Sequence, residues 1–258
     1  MKSISSRDNV LFKQLKKLTS SARERRQCGN TLLDGIHLLE AYRASGGVAE
    51  WVVVAEGAAL QDEIQVILQQ ISSWPMLTIA DNLFAEISPV DSPTGILAMI
   101  AIAPVAMPED NDFVLLLEDI QDPGNVGAIL RSAAAAGVST TYLSTACADV
   151  WSPKVLRSAM GAHFSLAMVE RADLSQVAKQ FAGKVLATVP NAEQSIFALD
   201  LTGSVAFLVG NEGAGLSAEL QACANGLVHI PMRPAMESLN VAAATTVCLF
   251  ERVRQCLV

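Results

Sequence analysis

The run LLLEDIQDPGNVGAILRSAAAAG, Leu115 to Gly137, restricts the fold more than any other stretch of the chain. It opens with apolar residues at strand density and breaks at Asp122-Pro123-Gly124-Asn125. Beyond the break Val126, Ile129, Leu130, Ala133, Ala134 and Gly137 recur at helical spacing, a stripe that faces a core. Asp122 or Asn125 caps this helix, and Pro123 suits its first turn. A strand, a glycine-containing turn and a helix N-terminus form a place to hold an anion. Arg131 lies off the apolar stripe, four residues after Gly127 and on the same side. Taken alone, the segment reads equally as a capped helix with a solvated arginine. A dinucleotide-binding turn fits less well. Of G-x-G-x-x-G only Gly124 and Gly127 are present, and the next strand, Tyr142-Leu143-Ser144-Thr145, ends without an acid.

From Phe113 onward strands and helices alternate. Strands are expected near 113–117, 140–143, 164–168, 184–188, 205–209 and 227–230, and helices near 125–136, 153–161, 173–181, 216–222 and 238–255. Such alternation implies a mostly parallel sheet covered on both faces. The first hundred residues alternate similarly, on a smaller scale: strands at Thr31–Asp34, Trp51–Ala55, Met76–Ala80 and Gly95–Ala103, with helices between, one of them capped by Asp81. Proline and acidic residues without periodicity mark a linker. The division is therefore an α/β domain over 1–105, a linker over 106–112 and a larger α/β domain over 113–258.

A hydrophobic fraction of 51% with 17% charged residues supplies ample core and excludes disorder. No apolar run reaches the length of a bilayer span, and the N-terminus lacks the apolar stretch of a secretory signal, so a soluble, cytoplasmic protein is expected. The five cysteines are scattered, form no C-x-x-C pair and stand apart from the three histidines; free thiols, with neither metal site nor disulfide framework, are the reading. A net charge of −8 argues against a nucleic-acid partner until its distribution is considered. Residues 1–27 carry eight basic side chains against Asp8 and Glu24, a net of +6, which leaves −14 on the remainder. That asymmetry suggests a basic arm or helix on an acidic body.

Two further segments carry chemistry. Val205 to Ser217, VAFLVGNEGAGLS, runs an apolar strand into Gly210, Gly213 and Gly215, with Glu212 in the middle of the turn. Glycines there let backbone approach a ligand closely. Val228 to Glu251, VHIPMRPAMESLNVAAATTVCLFE, passes from a short strand through a proline-bearing loop to Ser238, the expected helix cap. Asn240 falls on the first turn, although asparagine is a poor helix former. Ala242, Ala243 and Ala244 keep one side of this helix thin, as close helix packing requires.

These three segments, in this order and spacing, resemble the three signature motifs of SpoU/TrmH-type RNA ribose 2′-O-methyltransferases of the SPOUT superfamily. The resemblance covers residues 113–258 almost throughout. The first hundred residues are similar to the small ribosomal-protein-like domain that often precedes this fold and holds substrate RNA. The resemblance implies a deep C-terminal trefoil knot, S-adenosylmethionine as cofactor, and an RNA substrate; the separate N-terminal domain favours ribosomal RNA by analogy, with transfer RNA the alternative. It also implies a homodimer formed through the C-terminal domain. The cofactor contacts fall on Gly210, Ile230 and Leu239, with Met232 and Thr188 as neighbours. Arg131 and Asn125 match the first motif, and Glu212, Ser238 and Asn240 the polar positions of the second and third.

One position departs from the pattern: Pro234 stands where the family's loop usually has glycine, which bears on loop shape and any backbone contact there. The implied role of Arg131 as a base conflicts with the permanence of the guanidinium charge. The expectation adopted is that Arg131 clamps an RNA phosphate and hydrogen-bonds the developing alkoxide, while Asn125 orients the hydroxyl. A non-catalytic RNA-binding module of the same fold is the alternative.

Overall fold

The computed structural model describes every residue except Met1, Asp91, Pro104, Val105, Pro234 and Val258. The chain divides into two units, one of Met1–Pro104 with Asp149–Phe164 and one of Val105–Ala148 with Ser165–Val258. The Pro234 departure lies outside the described residues.

In the first unit the order is β1 (Lys2–Ile4), α1 (Val10–Ser20), α2 (Ala22–Cys28), β2 (Asn30–Asp34), α3 (Ile36–Ala44), β3 (Trp51–Ala55), α4 (Asp62–Gln70), β4 (Met76–Ile79), α5 (Asp81–Ile87) and β5 (Ile96–Ala101). The five strands form one mixed sheet in the order β1-β4-β3-β5-β2, with β5 antiparallel to both β2 and β3. Residues 2–28 are thus built into the domain and do not project as an arm. Lys2–Ile4 adds a parallel strand beside β4, and Phe12, Leu15 and Leu18 of α1 enter the core. Asp81 does not cap α5, because the cap position falls on Ala80; its Oδ1 accepts instead from the Gly57 N–H at 2.9 Å.

The segment 149–164 joins this unit by its apolar side. It carries α7 (Pro153–Ala159; α6, Pro123–Ala136, belongs to the second unit), whose Leu156 is fully buried in the N-terminal core. Burying such a leucine stabilises by about 2 kcal/mol. Asp149 pairs with the buried Arg25, and the Thr31 hydroxyl donates to the Trp151 carbonyl at 2.6 Å. The Phe164 ring lies 5.1 Å from that of Tyr42.

The second unit holds α6 and α8 (Leu174–Gln180), α9 (Ala218–Cys223) and α10 (Val241–Cys256) around seven strands. These are β6 (Phe113–Leu117), β7 (Thr140–Leu143), β8 (Ala167–Val169), β9 (Lys184–Thr188), β10 (Gln194–Ser195), β11 (Val205–Val209) and β12 (Gly226–His229), in the order β10-β12-β9-β11-β6-β7-β8 with every pairing parallel. The central strands β6 and β11 are buried along their whole length, as continuous apolar runs covered on both faces must be. The strand expected at 164–168 begins only at Ala167, because Ala162–Phe164 winds into a 3-10 turn. The two-residue β10 carries no periodicity by which to recognise it. Helix α10 packs along α6, where small side chains let the hydroxyls of Ser132 and Thr246 meet at 2.7 Å. Because the sheet is parallel, β6, β9, β11 and β12 all release their C-terminal loops at one edge, where open α/β sheets bind ligands.

Candidate active site

Two helix N-termini meet at this edge. Asp122 caps α6, its Oδ1 accepting from the Asn125 N–H at 2.8 Å. The cap of α10 is Asn240; Ser238 is exposed two residues earlier and makes no hydrogen bond to another described residue. The expected start at 238 is therefore corrected to Val241. Asparagine is a poor helix former and a strong cap, so it sits just outside the helix, and its Oδ1 accepts from Ala242 and Ala243 N–H at 2.9 and 3.2 Å.

That cap fixes the polarity of a network. With Oδ1 committed to backbone donors, the Asn240 Nδ2 donates to Asn125 Oδ1 at 2.9 Å, and the Asn125 Nδ2 consequently faces Glu212 and donates to Oε1 at 2.9 Å. One residue from each segment singled out in the sequence thus enters a single chain of hydrogen bonds. The Glu212 carboxylate accepts from a side chain on the first turn of α6, where the helix dipole favours negative charge.

The turn carrying Glu212 is rigid for a local reason. Asn211 and Gly215 exchange backbone hydrogen bonds of 3.1 and 2.9 Å, and Asn211 Oδ1 accepts from the Gly213 and Ala214 N–H groups, both at 2.9 Å. The Asn211 Nδ2 donates to the Asp119 carbonyl at 2.8 Å, tying the turn to the loop after β6. Gly215 has φ +70°, and a Cβ on Gly210 would lie 2.4 Å from the Gly215 carbonyl carbon. Both glycines are required by geometry. Asn211, and Glu118 whose Oε2 accepts from Ser217 N–H at 2.7 Å, were not among the expected site residues. An asparagine ahead of a glycine turn is the signal that could have identified Asn211.

The expected cofactor residues follow the strand ends. Thr188 closes β9 and donates its hydroxyl to the Leu208 carbonyl at 2.9 Å; Gly210 follows β11; Ile230 and Met232 follow β12. Leu239 is 41% exposed immediately before the α10 cap, so its apolar surface remains free to cover a ligand. Among the described residues, the backbones of Gly210, Ile230 and Met232 take no backbone hydrogen bond outside the strand ladders. Backbone groups at strand ends that no turn or cap engages, beside apolar side chains, suit a purine edge and ring. Arg131 is exposed further along α6 and has no hydrogen bond or ion pair with another described residue. Within these residues no cluster of histidine, cysteine or carboxylate side chains could hold a metal ion.

The model of the SpoU rRNA Methylase family matches residues 112–250, and that of the MRM3-like substrate binding domain matches residues 9–98. The chain is 35% identical to an uncharacterised tRNA/rRNA methyltransferase of Synechocystis, over 98% of this chain and 94% of that one. It is 31% identical to the 23S rRNA (guanosine(2553)-2′-O)-methyltransferase of Bacillus subtilis, over 97% and 98%. Among solved structures, the SpoU methyltransferase AviRb of Streptomyces viridochromogenes in complex with AdoMet superposes with a TM-score of 0.83 at 26% identity, covering 96% of this chain and 99% of that one.

Proposed function

The chain belongs to the SpoU rRNA Methylase family, and we propose that it transfers the methyl group of S-adenosylmethionine to a ribose 2′-hydroxyl of ribosomal RNA. The observation that carries this reading is the Glu212–Asn125–Asn240 chain, which joins the three motif segments at the C-terminal edge of a parallel sheet. Gly210, Ile230, Met232, Leu239 and Thr188 would hold the cofactor. When bound, it supplies a methyl group on a sulfonium, already a good leaving group. The protein's task is then to position and activate a weakly acidic hydroxyl.

Asn125 still has one amide hydrogen and one lone pair uncommitted, and with these it orients the hydroxyl. Arg131, with no competing partner among the described residues, clamps a neighbouring phosphate and hydrogen-bonds the oxygen as charge develops there. The hydroxyl proton leaves through phosphate or water, since guanidinium remains protonated. Ser238 borders the same loop. A homodimer through the second unit and a knotted C-terminal thread belong to this reading; Phe250 and Leu257 at the end of the chain, 43% and 81% exposed, support the first as apolar surface a partner would cover. A cytoplasmic location is part of it too; among the described residues no helix is long and apolar enough to cross a membrane.

The test is to map 2′-O-methyl sites in total RNA with and without the protein. A new site in ribosomal RNA is the expected result. A site confined to transfer RNA would redirect the substrate, and tight RNA binding with no cofactor binding by calorimetry would leave a non-catalytic module.

A further inference from the structure

Folding pairs five of the eight basic side chains of segment 1–27 with carboxylates. Arg7 and Lys16 both pair with Glu86, Lys13 with Asp8, Lys17 with Glu24, and Arg25 is buried against Asp149. Lys2 on β1 and Arg23 and Arg26 on α2 remain; the two arginines lie three residues apart on the exposed side of the helix, their side chains without a hydrogen bond or ion pair to any described residue. The segment 149–164 then contributes a second cationic pair to the same unit. Lys154 and Arg157 lie three residues apart on the exposed side of α7, a helix with no acidic residue.

Both helices pack on one strand, β2, which is the edge of its sheet. Arg25 of α2 is bonded to Asp149, two residues before the Trp151 carbonyl that receives the Thr31 hydroxyl. At the far end of the strand Asp34 receives Arg157 at 3.4 Å. The strand itself, Asn30–Asp34, is about 13 Å long.

Asp34 gives this arrangement a direction. Its side chain is 1% exposed and that of Arg157 52%, so a buried carboxylate holds an exposed guanidinium by one nitrogen and leaves the others facing solvent. The second oxygen, Oδ1, is buried with no partner among the described residues. Burial pushes the Asp34 carboxyl above its ordinary value, with Arg157 opposing. A carboxylate kept there against its desolvation serves to orient the arginine, as planar guanidinium recognition of phosphate requires.

We propose that the β2 edge of the first unit is an RNA-backbone-binding surface built from two distant parts of the chain, with Arg23 and Arg26 from α2, Lys154 and Arg157 from α7, and Asp34 as the positioning residue for Arg157. The surface rests on the ribosomal-RNA reading above and adds that the substrate-binding unit is completed by a helix from the methylase half of the chain. Phosphate is the ligand, so recognition is of backbone and not of base sequence.

The experiment measures full-length protein binding to protein-free bacterial 23S ribosomal RNA over a range of salt, comparing Arg23→Ala/Arg26→Ala, Lys154→Ala/Arg157→Ala and, as a control on the second unit, Lys179→Ala. Each double variant should weaken binding about tenfold and lower the slope of log affinity against log salt by about 1.5. S-adenosylmethionine affinity and turnover at saturating RNA should stay at wild-type values. Asp34→Asn should weaken binding in the wild-type background and have no further effect on Arg157→Ala, a coupling that a merely structural carboxylate would not show. Wild-type affinity and slope in Lys154→Ala/Arg157→Ala would overturn the proposal, as would losses matched by Lys179→Ala. Failure of the wild-type protein to methylate any RNA while these binding differences persist would overturn the reading of the activity and leave the surface standing.

Discussion

The two units present polar function in opposite ways. In the second unit it is carried by turns at strand ends: caps, glycines with forced geometry, and amides whose donors and acceptors are committed to one another. In the first the proposed surface uses long cationic side chains on short helices, of which only Arg157 is held, by a buried carboxylate. A methyl transfer needs atoms held at fixed separation, whereas holding a polyanion needs charge at an approximate spacing. Substitutions should therefore act on rate in the second unit and on affinity and salt dependence in the first.

The largest effect that would break this contrast is at Arg131, a proposed catalytic side chain that the described residues leave unbonded. Arg131→Ala should slow single-turnover methyl transfer by about a hundredfold or more, the cost of one donor to a developing oxyanion, with cofactor affinity unchanged. Arg131→Lys should recover little, since lysine cannot bridge phosphate and alkoxide with a planar fork. Near wild-type transfer with lysine would reduce Arg131 to a point charge and place it with the first unit's cations.

This difference also explains what could be read from the residues alone. Gly210, Glu212, Asn125 and Asn240 stand at spacings that backbone geometry imposes, so the second-unit strands and motif segments are visible as pattern. Which of Asn240 and Ser238 caps α10 is decided by tertiary bonding to Asn125, and a local reading favours the serine. In the first unit four of the five strands are visible as pattern, but of the cations only their net charge. That Arg25 is buried, that Glu86 pairs with two cations from far along the chain, and that α7 packs beside β2 are all contacts between distant residues. Periodicity carries no information about them.

A second test uses pH to separate the units. His163 is buried in the first unit, with Nε2 donating to the Val150 carbonyl at 2.7 Å and Nδ1 unpartnered among the described residues; burial lowers its pKa to about 4, with the Val150 hydrogen bond and Asp149 opposing. Well above pH 6.5 the ring is neutral in both folded and unfolded chains and contributes no pH dependence. Below it the unfolded chain takes up a proton that the folded chain refuses, so stability falls as pH drops from 6.5 toward 4. The loss at about pH 5 should be about 2 kcal/mol. In the second unit Glu251, held at about 2 by hydrogen bonds from Arg254 and Gln255, loses its contribution only as pH falls through the carboxylate range. Urea unfolding at about pH 7.5 and about pH 5 should show the first unit weakening alone, and His163→Gln, which can keep the donor to Val150, should remove the difference. Equal weakening of both units would dissolve the distinction.

The smallest effect is the most discriminating, because Asn240 does two jobs with two atoms. Its Oδ1 caps α10 and its Nδ2 sets the orientation of Asn125. Asn240→Ala removes both, costing about 1 kcal/mol of stability from the cap alone and releasing the Asn125 amide to rotate. Asn240→Asp keeps a cap of equal quality, so thermal stability should match the wild type. It also sets an oxygen against Asn125 Oδ1, where two acceptors face one another without a proton. The Asn125 amide then turns its N–H toward the introduced carboxylate and away from Glu212, and methyl transfer should fall about tenfold in a protein as stable as its parent. If the aspartate variant turns over at the parental rate, the cap is all that Asn240 provides, and the site in the second unit is no more tightly ordered than the cationic edge of the first.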